Sequence, residues 1–212
     1  DISSIGVNFD EWTTNDGIST NNGAVFWMDP GQGPSTSTVV LAQVTVATGS
    51  GGQAAAVLQG RSHGDAADWT MATSWDLSGG TGGPAPPPTP PPAGDNVVIV
   101  ATDGITGMTT YQLTYSLDAS QANVYAMAGT ADTTMAFPPA FQVATPFGAD
   151  IGGVSPAFFA LNADSEFDSW LTVGVTDATG VSDISSIGIN FDEWTVNDGI
   201  STNNGAVFWM DP

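Results

Sequence analysis

"TTYQLTYSL" at 109–117 sets Tyr111, Leu113, Tyr115 and Leu117 two residues apart. That period puts all four on one face of a strand, because successive side chains of an extended chain point to opposite sides. The same reading extends outward in both directions. "TVVLAQVTV" at 38–46 is an almost unbroken apolar run, with Val40, Ala42, Val44 and Val46 expected to point inward. Further strands are expected at "QAAAVLQGR" (53–61), "DWTMATSWDL" (68–77), "NVVIVAT" (96–102), "NVYAMAG" (123–129), "SWLTVGV" (169–175), "ISSIGINF" (184–191) and "GAVFWM" (205–210). Helix formers are scarce, and only "PAFFAL" (156–161) suggests a short helix, since Pro156 suits a first helical turn. Short strands between Gly, Asp, Asn and Pro turns predict an all-β protein, an antiparallel β-sandwich of jelly-roll type.

The chain begins and ends with one text. "DISSIGVNFDEWTTNDGISTNNGAVFWMDP" at 1–30 returns at 183–212, with Val7 replaced by Ile189 and Thr14 by Val196. The copies stand 182 residues apart, from residue 1 to residue 183, a spacing far longer than a solenoid unit of roughly 20–50 residues. It is the period of a domain with its linker, so the sequence reads as little more than one link of a tandem array. The joint is expected at "SGGTGGPAPPPTPPPAGD" (78–95), a flexible Gly half followed by a Pro half that favours a stiff extended rod. Residues 1–77 then form the C-terminal part of one β-domain, 78–95 the linker, and 96–212 the N-terminal part of the next. The alternative is a swap, in which 1–77 folds with 95–182 and the spare thirty residues enter a neighbour.

Charge narrows the partners. There are 22 acidic residues against one Lys or Arg, a net charge of −21. Such a surface cannot displace counterions from nucleic acid. It suits salt, divalent cations and an extracellular or cell-surface setting. There is no Cys, so neither disulfides nor thiolate metal sites are available. No apolar run is long enough for a membrane span.

Three kinds of site can be drawn. Oxygen ligands on loops suit calcium: Asp164, Glu166 and Asp168 would project to one side of an extended "NADSEFDSW", and Asp10, Glu11, Asn15 and Asp16 are mirrored by Asp192, Glu193, Asn197 and Asp198. Neither set follows the EF-hand pattern, and solvated acids in turns account for both equally. Trp12, Trp27, Trp69, Trp75 and Trp170 could stack on sugar rings, although Trp in an all-β chain more often packs inside. In the linker, Thr89 and hydroxylated Pro87, Pro88, Pro90 and Pro91 are candidates for O-glycosylation, whereas no Asn-X-Ser/Thr sequon occurs. The single His63, in "GRSHGDAAD" with Arg61, Ser62, Asp65 and Asp68, reads as an exposed loop residue. Phosphate-binding loops, nucleophile elbows and His-rich metal motifs are missing from the sequence, which therefore points away from an enzyme.

The succession "TTYQLTYSL" (109–117), "FQVATPFGADIGGVSPAFFALNADSEFDSWLTVG" (141–174), "GISTNNGAVFWMDP" (199–212) and "VLAQVTVATG" (40–49) resembles a secreted β-domain of microbial extracellular proteins. The resemblance covers most of one repeat. It implies secretion and a β fold, and carries no assigned activity. The expectation is an extracellular structural protein: a repeat of a filament, surface appendage or adhesive fibre, stabilised by calcium and partnered by identical copies. A carbohydrate-binding adhesin module is the alternative.

Overall fold

The computed structural model describes residues 2–5, 7–14, 17–18, 24–27, 31, 33–64, 67–79 and 94–210. Asn15, Asp16, Thr89, Pro87, Pro88, Pro90 and Pro91, with most of the linker, lie outside them, and Trp27 is described in its backbone alone. Among the described residues, no helix is long and apolar enough to cross a membrane.

The protein is built mostly of strands, paired antiparallel. β1 (Ile2–Ile5) and β2 (Ala24–Trp27) form a hairpin sheet of their own. A four-stranded sheet contains β3 (Thr38–Ala47), β6 (Gly94–Thr102), β7 (Met108–Ser116) and β10 (Trp170–Leu171), in the order β10-β3-β7-β6. The remaining strands form the larger sheet. These are β4 (Gln53–Arg61), β5 (Asp68–Asp76), β8 (Ala126–Ala128), β9 (Met135–Phe137), β11 (Ile184–Ile187), β12 (Ile200–Thr202) and β13 (Ala206–Trp209). Their order is β11-β13-β8-β4-β9-β12, with β5 also paired to β4.

Between β3 and β4 the chain changes sheets through "TGSGG" (48–52). Gly49, Gly51 and Gly52 take φ values of +77°, +66° and +143° there, a backbone that side chains with a Cβ rarely adopt. One hydrophobic cluster draws on both sheets: Leu41, Val44, Tyr111 and Leu113 from the smaller, Ala56, Leu58, Trp75, Met127 and Val207 from the larger. Trp75 on β5 also reaches across, donating from Nε1 to the Thr114 carbonyl on β7 at 2.9 Å. Beside it Trp69 stacks on Tyr115, with ring centroids 5.8 Å apart.

The alternation at 109–117 is found as expected, since Tyr111, Leu113 and Tyr115 are buried and Leu117 packs against the same cluster. In β3 the inward phase differs at one residue. The register shifts between Val40 and Ala42, a bulge at Leu41. Val39 thereby stands opposite Tyr115 and takes the inward place expected for Val40. Three other elements are shorter than the sequence suggests. The runs at 169–175 and 123–129 contribute only β10 and β8, and 156–161 gives a 3-10 turn at Pro156–Phe158.

Strands on either side of the linker pair with each other. β3 runs along the length of β7, and β4 pairs with both β8 and β9. The parts that the sequence assigns to successive domains therefore share both sheets in this chain.

Candidate functional site

The repeated thirty residues occupy two different settings, and that contrast defines the candidate site. At 183–210 the segment is built into the larger sheet. β11 pairs with β13, β13 continues onto β8, and β12 lies against β9. Its Trp194 is 2% exposed, packs against Phe137 at 5.9 Å, and donates from Nε1 to the Pro138 carbonyl at 2.8 Å. We call the seat provided by β8, β9 and Pro138 the slot.

Among the described residues of 1–30 the local structure repeats, while Trp12 and Val25 do not share the burial of their counterparts. β1 and β2 pair as Ile2↔Trp27 through Ile5↔Ala24, the register that β11 and β13 show as Ile184↔Trp209 through Ile187↔Ala206. Both copies carry a 3-10 turn, Phe9–Glu11 and Phe191–Glu193. In each, an Asn amide donates to the Glu three residues on, Asn8 to Glu11 at 2.9 Å and Asn190 to Glu193 at 2.8 Å. Yet Trp12 is 64% exposed where Trp194 is buried, and Val25 is 58% exposed where Val207 is fully buried. Local sequence writes the hairpin and the turn. The slot supplies the burial.

Asp164, Glu166 and Asp168 do not converge on one point. "NADSEFDSW" is not extended: Ala163–Phe167 form a 3-10 turn, because the Asn162 side chain accepts from the Asp164 N–H. The turn leaves Asp164 and Glu166 exposed and sends Asp168 inward, fully buried. The two Asp168 oxygens are taken by backbone N–H groups of Val143 and Ala149, each at 2.7 Å. Burial pushes this carboxyl up to about 6, against the N–H donors of Ala149, Val143 and Ser169, which pull it down. Asp10, Glu11, Asp192, Glu193 and Asp198 are exposed turn residues. Three of them, Asp192, Glu193 and Asp198, edge one cleft with Thr195 and Gly199. Asp150, which the sequence reading passed over, is also raised, first by burial and then by the charge of Asp192. Among the described residues no three Asp, Glu or His side chains converge to hold a metal. Chelation decides the calcium expectation: a fall in Tm of several degrees in EDTA would show a structural cation, and an unchanged Tm would reject one.

The tryptophans sort by burial. Trp75 is 1% and Trp170 3% exposed, so neither offers a face to a sugar. Trp69 is half-buried, stacked on Tyr115, and its Nε1 donates to the Arg61 carbonyl. Trp12 alone of the candidates with described side chains presents an open ring. His63 is exposed. Its N–H donates to the Ser120 carbonyl while the Ser62 N–H goes to Ala67, and Arg61 pairs with Asp68 at 3.2 Å.

The swap alternative drawn from the sequence foresaw a spare thirty-residue segment, but not which strands would form its seat. The signal was present in the repeat itself, which supplies two segments for a seat that the residues between them build once. No protein family, curated protein or solved structure matches this chain.

Proposed function

We propose that this chain is a repeat unit of an extracellular structural protein, a jelly-roll-like β-sandwich strung in tandem into a filament, surface appendage or adhesive fibre. The observation that carries the reading is the thirty-residue segment found twice, built into the larger sheet at 183–210 and forming a separate β1–β2 sheet with Trp12 and Val25 exposed near the other end of the chain. Identical joints repeated along a chain give a constant rotation and rise, hence a filament. Two further features support it. β6 ends its sheet with Val98 48% and Val100 47% exposed and with no Lys in the chain to block strand addition. The net charge of −21 suits a salt-bathed exterior. The linker's Thr89 and prolines belong to the proposal as O-glycosylation sites, which intact-mass measurement of secreted material reads directly. Electron microscopy of the protein from its natural source is expected to show filaments with a regular axial repeat, and isolated globules would overturn the reading.

A glycan-binding adhesin is the second reading, favoured by one observation, the exposed Trp12 ring. It requires glycan-array binding that Trp12→Ala abolishes.

A further inference from the structure

The slot has a resident, 183–210, and the chain carries a second segment cut to the same shape. Trp194, whose indole fills the slot, has its counterpart in Trp12. The two differences between the copies are mild. Ile189, partly buried against the core, becomes Val7, one methylene shorter, and Val196, 50% exposed, becomes Thr14. Nothing in the slot distinguishes the copies beyond that methylene.

Reach decides whether the second copy can use it. The resident segment leaves the slot at Trp209, whose N–H donates to the Tyr125 carbonyl at 2.8 Å. Residues 33 and 34 lie beside the same place. The Pro34 carbonyl accepts from the Val124 N–H at 3.3 Å, and a Cβ on Gly33 would fall 3.0 Å from the Tyr125 Cβ. If 1–30 sat in the slot, Trp27 would replace Trp209 next to Tyr125, and the chain from 27 to 33 would have to span only the short way round that residue. Six residues reach roughly 20 Å when extended. The path is therefore short enough. The segment that follows residue 182 occupies this seat, and the one that precedes residue 31 lies within reach of it.

We infer that residues 1–30 are an alternative occupant of the slot in their own chain, exchanging with 183–212, the displaced copy being left as the exposed hairpin. In a tandem succession each thirty-residue copy would stand between two seats, one built by the residues before it and one by those after it. Closing one seat leaves the other to the next copy, so the string can be read in either of two registers. The inference rests on the slot geometry and the duplicated text, and does not depend on filament formation.

The test uses the full Cys-free chain. Ala206 stands opposite Ala128 across β13 and β8, and Ala24 is its counterpart in the other copy. Cysteines at Ala24→Cys and Ala128→Cys can join only when 1–30 is in the slot, since cross-strand partners lie about 4.5–5.5 Å apart at Cβ. Adding Trp194→Ala weakens the resident. The expected result is a disulfide within one chain, seen as a monomer on a non-reducing gel and as a linked peptide by mass spectrometry. Further replacement by Trp12→Ala should reduce it at least about tenfold. Without cysteines, Trp194→Ala should fold with Tm within about 3 °C of the unaltered chain, and Trp12→Ala/Trp194→Ala should lose roughly 10 °C. Three results would overturn the inference. One is a Trp194→Ala chain that does not fold, because Trp12 would then have failed to replace it. Another is no 24–128 link under conditions where Ala206→Cys/Ala128→Cys closes. The last is linkage between chains only.

Discussion

Trp75→Ala is expected to remove about 4 kcal/mol of stability and lower Tm by roughly 10 °C. β5 alternates between exposed and half-buried residues along its whole length, and Trp75 is the one side chain in it that is fully buried. Its indole sits in the cluster that joins the two sheets and its Nε1 bonds the Thr114 carbonyl on the opposite one. Truncation leaves both a cavity and an acceptor without its donor, two costs that add. Trp75→Phe separates them. It keeps most of the volume and loses the hydrogen bond, so its cost should be about 1–2 kcal/mol. Thermal denaturation of the two variants reads both numbers. A Trp75→Ala loss below about 1 kcal/mol would mean that β5 does not lie over β7 as described.

The contrast between Trp75 and Trp12 also shows what the sequence could and could not disclose. Strand identity was legible wherever alternation ran for nine residues or so, as in β7, because period two leaves few alternatives to an extended chain. It failed where a polar side chain captured a nearby backbone N–H. Asn162 bonding the Asp164 N–H turned an expected extended stretch into a 3-10 turn, and that one bond moved Asp168 from the surface to the interior. A bulge such as that at Leu41 leaves no mark in an unbroken apolar run, so the phase of Val39 and Val40 could not be read. The tryptophans expose the deeper limit. Trp12 and Trp194 have nearly identical neighbours in sequence and opposite exposures, 64% and 2%. Their difference is tertiary: what decides it is which copy holds the slot.

Asp168 should give stability an unusual slope with pH. Its carboxyl ionises in the unfolded chain near the ordinary 3.8, whereas burial raises it to about 6 in the folded one. Below about pH 4 the group is protonated in both states and its contribution is fully present. Between pH 4 and 6 the unfolded chain ionises first, so stability falls as pH rises through 6, by up to about 3 kcal/mol. Asp150 is shifted upward as well and slopes the same way. Asp76, Asp118 and Asp177 are shifted downward, each by the hydroxyl and N–H of a Ser or Thr two residues on, so their contribution is lost only below the ordinary carboxylate range.

Asp168→Asn isolates the buried group. The amide can accept from only one of the Val143 and Ala149 N–H groups and turns its own donors toward the other, a cost of about 2–3 kcal/mol at acid pH. Gly148 leaves no room to rearrange, since a Cβ there would already lie 1.8 Å from the Val143 carbonyl oxygen. The variant has no carboxyl to ionise at this position. In urea denaturation across pH 4 to 7 its stability should therefore fall less than that of the unaltered chain, and the two curves should converge. Self-repulsion of the acidic surface acts on both chains alike and drops out of the difference. Curves that separate as pH rises would mean that the backbone N–H donors outweigh burial. Asp168 would then anchor the 143–149 loop most strongly as an anion.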